Sequence, residues 1–356
     1  MPILIDKDSY PPIHLFANKQ PLRVSALCND LFGHLMTLPV LELVRQVNDL
    51  QPDNPVLLDR MLDKDLLKRS AGGSHHRTPE GTDVVLLDPT RATEQIVAHE
   101  LMHALLGRQG WPRVYPLLPM VYDPDAVYVA DLVRNIVDHY VFWPTLREMQ
   151  VDLGSYQQWM LDSLLSWPDT EVESRALVAN AFKILEVTTW GRSYRTKILR
   201  HMSQSQSKAL RLSLRLEPKL RIAQPRLKLY SRAAILALLQ ELEKWLSEEV
   251  GTAVLATDRF WITGVFSTEE LELPAHSILS FASFARTAGN VPFWFVTFSS
   301  RVDGTIVGGQ YWKQGMTIEE PAEAKETLML WRTAKLHQLL VALSIPYGVC
   351  ERCKLA

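Results

Sequence analysis

The residues of this chain best suited to chemistry are His99-Glu100-Leu101-Met102-His103. On an α-helix, positions four apart share a face, with their Cβ atoms about 6 Å apart, so two imidazoles can converge on one metal ion. Glu100 lies close enough to that face to reach a water held by the ion. Zinc takes nitrogen or oxygen ligands in a tetrahedral array, and a catalytic site leaves one position open. Water held there loses a proton near neutral pH, and a neighbouring glutamate can act as general base. The flanks Ile96, Val97, Ala98, Leu101, Met102, Ala104, Leu105 and Leu106 carry no charge. A buried active-site helix requires that.

Two histidines leave such a site one protein ligand short. The next helical stretch, about Ala126 to Phe142, offers Asp131, Asn135, Asp138 and His139. Asp131, Asn135 and Asp138 fall at i, i+4 and i+7 on one face of an otherwise apolar segment, and buried carboxylates call for a cation. On these grounds Asp131, Asp138 and His139 are all open as the third ligand. Tyr128, Tyr140 and His139 are candidates for stabilising the transition state, because they lie on or near this helix.

The elements that must position these residues follow from local signals. Val40 to Leu50 has helical apolar spacing. Ala71 to Gly81 (AGGSHHRTPEG) reads as a loop, which makes His75 and His76 solvated loop residues. Asp83 to Leu87 (DVVLL) reads as a buried strand stopped by Asp88-Pro89. Thr90 is placed to cap the motif helix, which should end near Gly107. Pro112, Pro116, Pro119 and Pro124 make Gly110 to Asp125 a long loop, and Pro144 should stop the second helix.

The stretch Val84 to Leu106 (VVLLDPTRATEQIVAHELMHALL) resembles zincin metallopeptidases of the IrrE/ImmA type, with a short strand, an Asp-containing turn and a helix bearing the HExxH motif. The run Asn135 to Pro144 (NIVDHYVFWP) is similar in length and final proline to that family's next conserved stretch. The resemblance covers about 60 residues, from Val84 to Pro144. It implies that Asp131 stands where the family has a metal-binding glutamate, with a carboxylate that reaches about one bond less.

The whole chain has 356 residues and a net charge of −2, which predicts no particular partner. Its three cysteines, Cys28, Cys350 and Cys353, are too few for a disulfide framework and suggest a reducing compartment. Cys350-Glu351-Arg352-Cys353 has half the spacing of a zinc ribbon, with no second pair, and reads as ordinary tail cysteines. The N-terminus lacks the pattern of a signal peptide, and no apolar run reaches the roughly 18 residues of a membrane span, so a cytoplasmic protein with no membrane partner is expected. Between Arg192 and Arg232 stand twelve Lys or Arg and one acid, Glu217. That segment could bind nucleic acid, although it reads first as a solvated surface.

The expected fold is α+β. A mainly helical zincin-like domain with a small sheet spans 1–165, a helical basic middle spans 166–250, and a C-terminal α/β module of unknown role spans 251–356. In that module 252–256, 260–266, 292–299 and 305–312 read as strands, the last two joined through Asp303-Gly304. Residues 276–288 and 321–343 read as helices. The expected function is a zinc metallopeptidase acting on protein or peptide substrates. The alternative is a non-catalytic binding or regulatory protein on the same scaffold, acting through its basic segment or its C-terminal module.

Overall fold

A computed structural model describes residues 35, 37–61, 72–78, 81–88, 90–117, 124–166, 174–205, 207–224, 227–250, 257–288, 291–313 and 322–350. The expected strand at 252–256 and the residues Cys28 and Cys353 lie outside them. The fold is mixed α+β. No helix among the described residues is long and apolar enough to cross a membrane. The chain divides into two compact units. One contains the described residues up to Gln109 together with 142–159. The other contains 110–141 and the chain from 160 onward.

The first unit is built on helix α1 (Leu38–Leu50), strands β1 (Leu57–Arg60), β2 (Gly73–Arg77) and β3 (Asp83–Leu87), and helix α2 (Glu94–Arg108). The sheet order is β1-β3-β2, with β1 parallel and β2 antiparallel to the central strand. All five residues of β3 are buried, as its unbroken apolar run requires. Val40, Leu43, Val44 and Val47 form the buried stripe of α1.

β2 corrects the sequence reading of a loop over 71–81. Ser-His-His-Arg has little strand preference of its own, but every residue from Gly73 to Arg77 pairs with β3, in the register Gly73↔Leu87 to Arg77↔Asp83. Strand propensity is a weak, context-dependent term, and pairing with an apolar neighbour overrides it. The cap of α2 is Thr93 rather than Thr90: Thr93 Oγ1 accepts from the Ile96 amide at 3.4 Å, while the Thr90 hydroxyl donates to Asp88.

Helix α3 (Pro124–Glu148) also departs from expectation, running through Pro144 instead of stopping before it. Proline removes one intrahelical bond. Here the turn beyond it continues because Leu146 is fully buried and the Met149 amide reaches Thr145 O at 2.9 Å. Helix α4 (Gly154–Leu165) follows.

In the other unit, β4 (Val114–Pro116) lies within the stretch expected to be loop, paired with β5 (Phe260–Ile262). Helices α5 (Ser174–Thr189), α6 (Arg192–Ser205), α7 (Ser207–Leu220) and α8 (Lys228–Val250) form its helical part. The C-terminal module contains β6 (Gly264–Phe266), short helices α9 (Thr268–Glu272) and α10 (Ala275–Ile278), a meander of β7 (Leu279–Ala288), β8 (Val291–Ser300) and β9 (Ile306–Lys313), helices α11 (Ala322–Thr333) and α12 (Leu336–Ala342), and β10 (Tyr347–Val349) beside β6. Its core includes Leu279, Val296, Phe298, Val307, Leu339 and Leu340.

Two helix readings are corrected in this module. Only 275–278 of the expected helix 276–288 is helical, and the remainder is β7, paired with β8 along its full length. The alternation Leu279-Ser280-Phe281-Ala282, apolar side chains turned inward, is a period of two. The expected single helix over 321–343 is two. The chain breaks at Ala334–Lys335, where Ala334 O accepts from the Ala275 amide and the Leu336 amide donates to Leu273 O. Cys350 is disulfide-bonded, which revises its reading as an ordinary tail cysteine.

Candidate metal centre

Helix α2 is apolar around most of its circumference, and Val97, Ala98, Leu101, Met102, Ala104 and Leu105 are all buried. That burial fixes its rotation and brings His99 and His103 together. Their Nε2 atoms are 3.2 Å apart. Tetrahedral zinc with Zn–N bonds near 2.05 Å would hold two ligand nitrogens about 3.3 Å apart, so this spacing fits the ion. The His103 side chain is buried, and that of His99 is 12% exposed.

The third member is His139. One ligand atom from each of His99, His103 and His139 lies within 4.8 Å of the others. His139 and Phe142 ride on one continuous helix, α3. Phe142 packs edge-on to both motif histidines, with ring centroids 5.3 Å from His99 and 5.2 Å from His103. Nδ1 of His139 lies 3.0 Å from Glu186 Oε1 on α5, both side chains being buried. A carboxylate beside one ring nitrogen, with the other nitrogen turned to an ion, is an arrangement common behind metal-bound histidines.

The other candidates lie elsewhere. Asp131 is half exposed and pairs with Arg134 at 3.1 Å. Asp138 is buried, but its carboxylate faces Arg113 at 3.8 Å. Tyr128 stacks under the Arg175 guanidinium, 4.4 Å from the ring centroid, and burial raises its phenol above the ordinary value. Among the described residues, neither aspartate joins the three histidines.

Glu100 Oε1 lies 4.0 Å from His99 Nε2, with the side chain largely buried. β2 runs directly over it. A Cβ built on Gly73 would stand 2.6 Å from Ile96 Cγ2 and 3.0 Å from Glu100 Cγ. Only glycine permits so close an approach of strand to helix. Trp143 and Tyr156 complete an aromatic wall beside His99, at 5.4 and 5.8 Å between ring centroids.

His75, expected in a solvated loop, is only 9% exposed and reaches Asp83 Oδ1 at 2.9 Å; Asp83 Oδ2 accepts from Arg108 Nε at 2.6 Å. Arg108 also donates to Val47 O on α1. This buried chain ties β2, β3, α1 and α2 together beside His103, whose ring lies 6.4 Å from that of His75. Burial alone would raise the Asp83 carboxyl. Hydrogen bonds from His75 and Arg108 outweigh that and hold it below the ordinary carboxylate value. Sequence reasoning missed His75, Tyr156 and Glu186. The histidine pair 75–76 is visible in the sequence but sits among loop-type residues, whereas Glu186 carries no local signal.

The three histidines form a set able to hold a transition-metal ion, since imidazole suits zinc, copper, iron and nickel. The chain matches no protein-family model, no curated protein and no solved structure.

Proposed function

We propose that this chain is a zinc-dependent hydrolase of peptide bonds. His99, His103 and His139 would hold the ion, and Glu100 would move the proton. The observation that supports this reading is the convergence of three imidazoles next to a largely buried carboxylate on the same helix. When bound, zinc supplies a Lewis acid that polarises water and a substrate carbonyl.

The chain's own groups do the rest. Glu100 accepts a proton at its carboxylate and returns it to the leaving amine. Glu186 fixes the tautomer and ring orientation of His139. Phe142 and Trp143 pack against His99 and keep the local dielectric low, which strengthens every charge interaction there. The peptide substrate class rests on the resemblance of residues 84–144 to the IrrE/ImmA-type zincins.

The test is Glu100→Gln, which keeps the side chain's size but cannot accept the proton. The variant should bind zinc as the wild type does and cleave a mixture of unfolded proteins at least about 10²-fold more slowly. Equal cleavage by the two proteins would remove Glu100 from the reaction. Zinc bound without hydrolysis in the wild type would favour a non-catalytic metal-holding protein.

A further inference from the structure

The second unit contains a cavity of about 310 Å³ whose lining includes Arg192, Arg195, Arg221, Glu217, Thr188 and Thr189. Three guanidinium groups and one carboxylate share this lining, leaving two positive charges in excess. Glu217 is buried on α7 and accepts from both Arg195 and Arg221, the latter at 2.8 Å. It therefore holds two of the guanidiniums in place while cancelling only one charge. Arg192 forms no ion pair or side-chain hydrogen bond among the described residues. Arg192 and Arg195 lie one turn apart on α6, on the same side of the helix. Thr188 and Thr189 spend their hydroxyl hydrogens on Leu185 O and Glu186 O. The donors available to a ligand are thus the guanidinium N–H groups and the Tyr140 hydroxyl.

The geometry points to a binding site for a small oxyanion of the phosphate class, free or carried on a phosphorylated metabolite. A phosphate dianion matches the two excess charges, where a single carboxylate would leave one over, and planar guanidinium groups bind phosphate through paired hydrogen bonds. Gly191, also in the lining, has φ +147°, a conformation side-chain-bearing residues rarely adopt, and it turns the chain from α5 into the first turn of α6. The unpaired amides of that turn favour an anion further.

Nucleic acid fits less well. It needs several cations in a continuous stripe. Here Arg215 pairs with Glu241 and Glu248, Lys219 with Glu241, and Arg232 with Asp303. The cavity is also at the lower end of the small-molecule range. None of its lining residues is a proposed metal ligand, so the inference stands apart from the hydrolase reading.

The test is isothermal titration of the full chain at low ionic strength with inorganic phosphate and, separately, with glucose 6-phosphate. Saturable binding of at least one is expected, and the tighter of the two indicates whether the phosphate arrives free or esterified. Arg192→Ala should weaken binding at least about tenfold, the loss expected for a charge-assisted hydrogen bond. Arg211→Ala removes the same charge from an exposed position on α7 outside the cavity and should change affinity less than about twofold. Failure of both ligands to saturate would overturn the site. So would equal weakening by the two substitutions, because the attraction would then be diffuse surface charge.

Discussion

The histidine cluster and the basic helices handle concentrated ionisable groups in opposite ways. In and beside α6 to α8 several cations meet an acid: Arg195 and Arg221 share Glu217, Arg215 spans Glu241 and Glu248, and Arg232 meets Asp303. Around His99, three imidazoles gather with their ligand atoms within 4.8 Å, with Glu100 nearby on α2 and Glu186 behind His139. Pairing makes a surface quiet, whereas convergence of like donors is costly unless something binds them. The difference between the two regions is therefore chemical as well as geometric.

The sharpest way to break this comparison is to remove a donor. His139→Ala should lower zinc affinity by well over 100-fold, because even groups that only support a ligand cost about 10- to 100-fold. Asp131→Ala should leave zinc content unchanged. Elemental analysis of the dialysed proteins checks both, and the reverse result would return the third position to the carboxylate.

A second large effect is expected at the buried pair beside the cluster. Asp83→Ala strands the Arg108 guanidinium, which has no exposed side-chain surface, and should cost about 3–5 kcal/mol of unfolding free energy. The pH dependence should follow. The folded Asp83 carboxyl is held below its ordinary value, so its contribution is present above that value and lost as pH falls. Asp88 behaves alike: burial would raise it, but bonds from Arg91 and Thr90 bring it from 3.8 to about 2. Denaturant titrations should show wild-type stability falling as pH drops from about 4 towards 2, with a shallower fall in Asp83→Ala.

Smaller effects complete the series. Glu186→Gln should weaken zinc about 10- to 100-fold without removing a ligand, as measured by competition with a chelator. In the basic region, Arg215→Ala should cost less than about 1 kcal/mol, since its partners are partly exposed and screened by salt. A cost at Arg215 matching that at Asp83 would erase the distinction between the two regions.

How much of this was legible in the sequence depends on the range of each signal. The motif helix and β3 are written in local apolar runs and α1 in helical periodicity, and the structure follows them. The choice among Asp131, Asp138 and His139 is not local, because it depends on the rotation of α3. That rotation is fixed by buried Val133, Ile136, Val137 and Phe142, which turn Asp131 towards solvent and bring His139 to the cluster. β2 was illegible because its strand character is borrowed from β3. Glu186 stands 47 positions beyond His139, and no spacing rule connects them.

Gly73 carries no donor, no charge and no side chain, yet a single methyl group there would collide with Ile96 and crowd Glu100. Its consequence is genetic. On the proposed hydrolase reading, a random-mutagenesis screen that selects for lost activity should recover Gly73 substitutions alongside changes to the histidines, and the Gly73 variants should still bind zinc. Lineages carrying this site should drift freely at Asp131 while staying fixed at Gly73, a residue with no side chain to offer a metal or a substrate.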